Sequence, residues 1–229
     1  MGGRMGNRNS YRAFAPAGVR LILYAALPAL LLALQAFVLL YAGRSLLEVC
    51  AGLYGAASVF FDFWIFGGIC ARGTMAFEYL KTSVRGPKLI ERALVWDGFC
   101  HFCSMAAIIL PGAVLERILL QTGGIAAEGM TVRLFTVLFL DYAVWLLAVS
   151  AARHVMMMVW YYVISVCAMG IFMALTVGAL GQIAAGRIRV LVPAAAAALL
   201  LAVFSVKHVM RRMEGSYRDE TIETGNADD

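Results

Sequence analysis

Six long apolar runs without Lys or Arg dominate the sequence and limit what this chain can fold into. A bilayer core of about 30 Å takes roughly 20 helical residues to cross, and the runs are close to that length. A membrane β-barrel would instead need alternating segments of about 10 residues. The sequence therefore predicts an all-α integral membrane protein with six transmembrane helices. The predicted spans are Leu21–Tyr41, Val49–Ile69, Ala93–Leu115, Leu134–Ala152, Val155–Leu180 and Val190–Val206.

The composition excludes the main soluble classes. Apolar residues make up 62% of the 229 positions and charged residues only 14%, against about 25% in an ordinary soluble domain. So few charges cannot coat a water-soluble surface, and the chain is too apolar to be disordered. The five cysteines are odd in number and scattered through apolar runs, which does not indicate a disulfide framework. The sequence therefore predicts a multi-pass protein of the plasma or inner membrane.

The distribution of basic residues predicts that both termini are cytoplasmic. If the six spans alternate, fourteen Lys and Arg residues fall on the side of the termini and five on the other. The predicted organisation is a basic segment over 1–20, a six-helix domain over 21–210 and a polar, disordered tail over 211–229. The basic residues lie between spans and form no single basic face, so nucleic acid is not a predicted partner.

The cytoplasmic loop between spans two and three, residues 75–92, contains a predicted short amphipathic helix. Its apolar residues share one face: Phe77, Leu80 and Val84. Its charged residues share the opposite face: Glu78, Lys81 and Arg85. Gly86-Pro87 ends this helix, because proline lacks the amide that the next turn needs. The pattern allows two interpretations, a helix lying on lipid headgroups and a docking element for a cytoplasmic partner.

The run EYLKTSVRGPK, Glu78 to Lys88, has an aliphatic-Lys-Thr-Ser step followed by a short basic turn. Together with the layout of six spans, it resembles the coupling helix in the permease subunit of type-2 ABC exporters. The resemblance implies that a separate cytoplasmic ATPase docks on this loop, and that a second permease copy or a similar permease completes the substrate pathway. The docking residues it implies are Phe77, Glu78, Leu80, Lys81, Val84, Arg85 and Lys88. The family commonly has an amphipathic helix before span one, which the Gly-rich segment 1–18 with Pro16 does not predict here.

No nucleotide-binding or catalytic motif is present in the sequence. A P-loop needs G-x-x-x-x-G-K-[ST], and none of the three lysines, Lys81, Lys88 and Lys207, follows glycine in that pattern. There is no G-x-S-x-G and no H-E-x-x-H, and the three histidines are widely spread. We therefore expect no cofactor, no metal and no catalysis in this chain, with ATP and Mg²⁺ held by the partner ATPase.

Three aspartates, Asp62, Asp97 and Asp141, lie within predicted spans that contain no Lys or Arg. An ionised carboxylate at the bilayer centre costs roughly 2.5 to 3.5 kcal/mol on insertion scales. Asp97 follows Arg92 by five residues, so we expect it to reach the cytoplasmic surface. Asp62 and Asp141 are predicted to lie deeper, either in a substrate pathway or proton site or hydrogen-bonded to neighbouring helices. Asp97 and His101 share a helix face, a spacing that suits proton relay.

A second class of function rests on Cys100-His101-Phe102-Cys103, a C-x-x-C motif. Residues 95–103 resemble the start of a small thiol-disulfide family with an Asp-Gly turn before its cysteines. A membrane thiol oxidoreductase or other membrane enzyme would use this cysteine pair, with Asp97 and His101 as proton carriers. However, the predicted orientation places both sulfurs towards the reducing cytoplasm, which favours packing as small apolar residues. A third possibility is an accessory or immunity protein without transport of its own.

Overall fold

Every element in the described part of the chain is helical, in a computed structural model of the protein. The all-α prediction is therefore confirmed. The residues that the structure describes are 7–70, 83, 85–119, 127–155, 159–160, 163–164, 166–167, 170 and 188–225.

The chain begins with a short helix that the sequence did not predict. Helix α1, Asn7–Phe14, buries Ser10 and Tyr11 against the bundle while Arg8 and Arg12 remain exposed. The structure therefore places an amphipathic helix before span one, which the Gly-rich segment with Pro16 does not by itself predict. Pro16 does not interrupt α1, because it lies beyond the end of α1 and precedes the next helix, a position where its missing amide costs no helical hydrogen bond.

The first span is one continuous run of helix with a local change of register. It consists of α2 (Ala17–Leu21), a π-helical segment (Ile22–Ala26) and α3 (Leu27–Ala42). Pro28, in the first turn of α3, has no amide to donate to the carbonyl four residues earlier, which accounts for the wider turn just before it. Helix α3 ends at Gly43, whose φ of 60° lies in the left-handed region that glycine adopts without strain.

Four longer helices complete the described fold: α4 (Leu47–Cys70), α5 (Gly86–Leu119), α6 (Ala127–Val155) and α7 (Ile188–Gly225). Together with the first span, they provide five segments long and apolar enough to cross a membrane. The chain is a multi-pass membrane protein. The predicted fifth span, Val155–Leu180, falls mostly outside the described residues.

The contacts between helices set their directions. Side chains near the end of α4, the start of α5 and the end of α6 meet, so these helices run antiparallel in turn. His154, at the end of α6, bonds His208 of α7, about 30 Å along the helix from Ile188. The sequence predicts a fifth span between the end of α6 and the start of α7.

Helices α4 and α6 form the inside of the bundle. In their most apolar stretches, 61% of the residues of α4 and 56% of those of α6 are buried. The corresponding share is 22% for the first span and for α7. The outer surfaces of α3 and α7 expose large aliphatic side chains, such as Leu30, Leu40, Leu199 and Leu200. Hydrocarbon solvates such side chains at no cost, so the exposed belt fits a lipid-facing surface.

Two predicted segments differ from, or lie outside, what the structure describes. Most of the predicted loop helix lies outside the described residues, which resume at Ser83 and Arg85. Gly86 and Pro87 form the first turn of α5, and the Gly86 amide donates to the Ser83 carbonyl at 3.0 Å. At the other end, α7 continues to Gly225, where the sequence predicted disorder from 211. Glu214 and Arg218 are four residues apart in that segment, a spacing that favours helix.

Candidate functional site

A buried arginine joins three helices. Arg153 of α6 donates to both carboxylate oxygens of Asp62 on α4, from Nε to Oδ2 at 3.1 Å and from Nη2 to Oδ1. The same Nη2 donates to Oδ2 of Asp97 on α5 at 2.7 Å. Arg153 is 3% exposed and both aspartates are fully buried. A guanidinium can donate to two carboxylates at once because its N–H groups form a rigid planar fork.

The guanidinium also stacks on an aromatic ring. The Arg153 Cζ atom lies 4.3 Å from the centroid of the Phe66 ring, one helical turn beyond Asp62 on α4. The ring face carries partial negative charge and attracts a cation, most strongly where water is excluded. Phe66 therefore helps to hold the arginine between its two carboxylates.

Two tyrosines extend the network to the amino terminus. The Tyr24 hydroxyl donates to Asp97 Oδ1 at 3.0 Å, and it lies 2.7 Å from the Tyr11 hydroxyl of α1. Tyr24 belongs to the π-helical segment, which directs its side chain into the bundle. Burial, with the negative charge of Asp97 as a second cause, raises the pKa of Tyr11 far above its usual range. Tyr11 is therefore a neutral hydroxyl, and it anchors α1 to the buried carboxylate.

His101 completes the network one turn along α5 from Asp97. Its Nδ1 lies 3.4 Å from Asp97 Oδ1 and 3.1 Å from the Asp97 carbonyl oxygen. The ring stacks on Trp145 of α6, with centroids 4.0 Å apart. The prediction that Asp97 and His101 share a helix face is confirmed. The two side chains are close enough to pass a proton between them.

The network places one guanidinium between two carboxyl groups. Arg153 donates to Asp62 and to Asp97, and these bonds satisfy polar groups that would otherwise be costly to bury.

The sequence analysis placed two members of the network wrongly. Asp97 does not reach the cytoplasmic surface, since its side chain is fully buried. Arg153 lies just beyond the predicted span that ends at Ala152, but α6 continues to Val155 and its arginine enters the bundle. One feature of the sequence points to a buried ion pair: an arginine immediately follows a predicted span, and three predicted spans contain a carboxylate. A span predicted from hydropathy ends at an arginine, even where buried carboxylates neutralise the charge of that arginine.

Asp141 lies apart from the network. It is fully buried in α6, three turns before Arg153, and neither carboxylate oxygen has a hydrogen-bond partner among the described residues. Ion pairing thus accounts for Asp62, while Asp141 remains a candidate pathway or proton site. A buried carboxyl group without a partner is costly, and such groups in membrane spans are most often functional.

A cleft of about 300 Å³ opens beside the network between α5, α6 and α7. Its wall is mostly apolar and includes Leu94, Val95 and Trp145, while Arg153 and Lys207 contribute cations and Glu91 a carboxylate. An apolar cleft with a few polar groups is the usual form of a small-molecule site. This cleft is therefore a place where an amphiphilic molecule would come close to Arg153.

The structure places both cysteines of the C-x-x-C motif on α5. Cys100 and Cys103 are both free thiols, with Cys103 exposed and Cys100 half-buried. Asp97 and His101, the predicted proton carriers, face the interior and bond to each other and to Tyr24. Cys103 instead lies on the outer surface of α5.

Replacing Cys100 and Cys103 together with alanine is expected to change the free energy of unfolding by less than about 1 kcal/mol, because neither thiol fills the core. We also expect the double variant to retain the wild-type biological activity. Unfolding in mixed detergent and a complementation assay in cells measure the two. Loss of activity in a variant that folds normally would favour the thiol oxidoreductase instead.

The structure also brings together two histidines that are distant in sequence. His154 Nδ1 and His208 Nε2 are 2.7 Å apart, and the rings stack with centroids separated by 4.6 Å. Within the described part of the chain, no group of three His, Cys, Asp or Glu residues is placed to hold a metal ion. The short distance is therefore a hydrogen bond from one ring nitrogen to the other.

Most of the predicted docking residues are not placed by the structure. Arg85 and Lys88 are described and exposed at the start of α5. The others lie outside the described residues: Phe77, Glu78, Leu80, Lys81 and Val84.

No protein-family model, curated protein or solved structure matches this chain. The function has to be inferred from the site itself and from the loop motif.

Proposed function

We propose that this chain is the membrane-spanning subunit of an ATP-driven exporter in the plasma or inner membrane. A second copy, or a similar permease, completes the substrate pathway. A separate cytoplasmic ATPase holds ATP and Mg²⁺ and docks on loop 75–92, which has Lys81 and Arg85 on its charged face. The pathway changes between inward and outward states by rigid-body motion of helices.

The main support for this proposal is the position of Arg153 relative to the loop. Helix α4 leads into the loop and α5 leads out of it, and Arg153 binds a carboxylate on each. A displacement of the loop by a docked ATPase would therefore move α4 and α5 as one body and carry α6 with them. An ATP-driven transporter needs such a connection between its docking loop and its spans.

Helix α1 gives further support. The resemblance to type-2 ABC exporters implies an amphipathic helix before the first span, and α1 is a helix of that kind in that place. Its Tyr11 bonds Tyr24, which in turn bonds Asp97. The same network thus reaches the amino-terminal helix, the first span and the two helices that flank the loop.

The loop is tested by reversing its charge. We expect Lys81→Glu with Arg85→Glu to abolish co-purification of an ATPase in mild detergent and to remove stimulation of its ATP hydrolysis. The matched control is Arg211→Glu with Arg212→Glu, which changes the charge equally at exposed positions of α7 on the same predicted side. Like-charge contacts across an interface cost several kcal/mol, so an effect of at least tenfold on binding is expected.

Unchanged ATPase capture and stimulation in the loop variant would contradict the proposal. If the wild-type chain captures no ATPase, the thiol oxidoreductase and the accessory or immunity function remain. Labelling of a cysteine placed in the loop from outside intact cells would contradict the predicted orientation as well.

A further inference from the structure

A second cavity, separate from the cleft beside Arg153, lies where α1, α2 and α5 meet. Its volume is about 460 Å³. Three arginines line it: Arg8 and Arg12 from α1 and Arg20 from α2. No acidic side chain is among its lining residues in the described part of the chain. The cavity is therefore strongly positive, at the amino-terminal end of the first span.

In the part of the chain that the structure describes, no carboxylate forms an ion pair with the arginines of this cavity. Arg20 Nε is buried and has no hydrogen-bond partner among the described residues. A buried donor without an acceptor costs about 1 to 3 kcal/mol, and an anion that accepts from it would recover that cost. Guanidinium groups bind phosphate oxygens in pairs of parallel hydrogen bonds, so a phosphate ester suits the cavity best.

Apolar side chains also line the cavity. They include Leu21, which is 66% exposed, together with Ala25 and Trp96, all on segments long and apolar enough to cross a membrane. A small inorganic anion would leave these side chains uncovered. A molecule with a phosphate group at one end and a hydrocarbon chain at the other would contact both parts. Tryptophan is also the residue most typical of the boundary between headgroups and hydrocarbon.

We propose that this cavity binds an anionic phospholipid of the cytoplasmic leaflet. Its phosphate lies among Arg8, Arg12 and Arg20, and its acyl chain lies along Leu21 and Ala25. Basic pockets between spans on the cytoplasmic side bind anionic headgroups in this way. Tyr11 and Tyr24 line the same cavity and belong to the hydrogen-bond chain that ends at Asp97. The bound lipid therefore holds α1 against the bundle and stabilises the buried network.

In the test, the protein in detergent is incubated with equal amounts of phosphatidylglycerol and phosphatidylcholine. Native mass spectrometry then measures which lipid the protein retains. Wild-type protein is expected to retain phosphatidylglycerol about tenfold over phosphatidylcholine. In Arg8→Gln/Arg12→Gln/Arg20→Gln the ratio falls close to one. Arg8→Lys/Arg12→Lys/Arg20→Lys keeps part of the preference, because the charge remains while the paired hydrogen bonds are lost. The control Arg117→Gln/Arg211→Gln/Arg212→Gln, at exposed positions outside the cavity, keeps the wild-type ratio.

A second measurement uses wild-type protein only, in case the glutamine variant does not fold. Phosphatidylglycerol should raise the melting temperature and phosphatidylcholine should not, because a ligand of the folded state stabilises it. The proposal is overturned if wild-type protein shows no preference for phosphatidylglycerol, or if both glutamine variants lose it equally. Displacement of the lipid by inorganic phosphate at millimolar concentration would show that the site binds a free anion and would also overturn it.

Discussion

Replacing Arg153 with methionine is expected to lower the free energy of unfolding by about 3 to 5 kcal/mol. Methionine keeps most of the length of the side chain but removes its charge. Asp62 and Asp97 would then remain buried without the cation that neutralises them. Reversible unfolding in mixed detergent, followed by tryptophan fluorescence, measures the change.

Two further variants separate the loss of charge pairing from the loss of packing. Arg117→Met removes an exposed arginine from the end of α5 and should change stability by no more than about 0.5 kcal/mol. Combining Arg153→Met with Asp62→Asn and Asp97→Asn should recover most of the lost stability, because neutral amides are less costly to bury than unpaired carboxylates. If Arg153→Met unfolds like wild-type protein, the ion pairs do not stabilise the bundle.

Replacing Asp141 with leucine is expected to have the opposite sign and to raise the free energy of unfolding by about 1 to 3 kcal/mol. The Asp141 carboxyl group is fully buried without a hydrogen-bond partner among the described residues. Burying it therefore costs free energy that no hydrogen bond within the described bundle returns. The same unfolding assay measures the gain.

The matched control is Asp62→Leu, the same substitution at another fully buried aspartate. It should destabilise the protein, because Arg153 loses one of its two carboxylates. If Asp141 serves transport, Asp141→Leu should also be less active despite its greater stability, the usual result when a costly group is kept for function. Equal destabilisation by Asp62→Leu and Asp141→Leu would show that Asp141 has a favourable partner after all.

The sequence predicted the membrane helices well, because backbone N–H and C=O groups in hydrocarbon must be hydrogen-bonded to each other and a helix achieves this within one segment. Five of the six predicted spans lie on described helices that are long and apolar enough to cross a membrane. Their ends were predicted less accurately. Helices α5, α6 and α7 extend beyond the apolar runs. The length of an apolar run reflects the thickness of the hydrocarbon core, whereas helical hydrogen bonds can continue beyond that core.

Local chemistry was also predicted where it depends on spacing alone. Asp97 and His101 share a face because they are four residues apart on one helix. The same local reasoning failed at the amino terminus, where glycines and Pro16 argued against a helix. Tertiary packing of Tyr11 against the bundle compensates for the low helix propensity of that segment.

What the sequence alone determined is the class of molecule: an all-helical multi-pass membrane protein with carboxylates inside its spans. That follows from composition and from the length of apolar runs, which are properties of single segments. Only the tertiary structure decided how those carboxylates are neutralised. Arg153 lies 91 positions from Asp62 and 56 from Asp97, and Tyr24 lies 73 from Asp97. Such partners meet because helices pack side by side, and no local pattern records which side chains then come into contact.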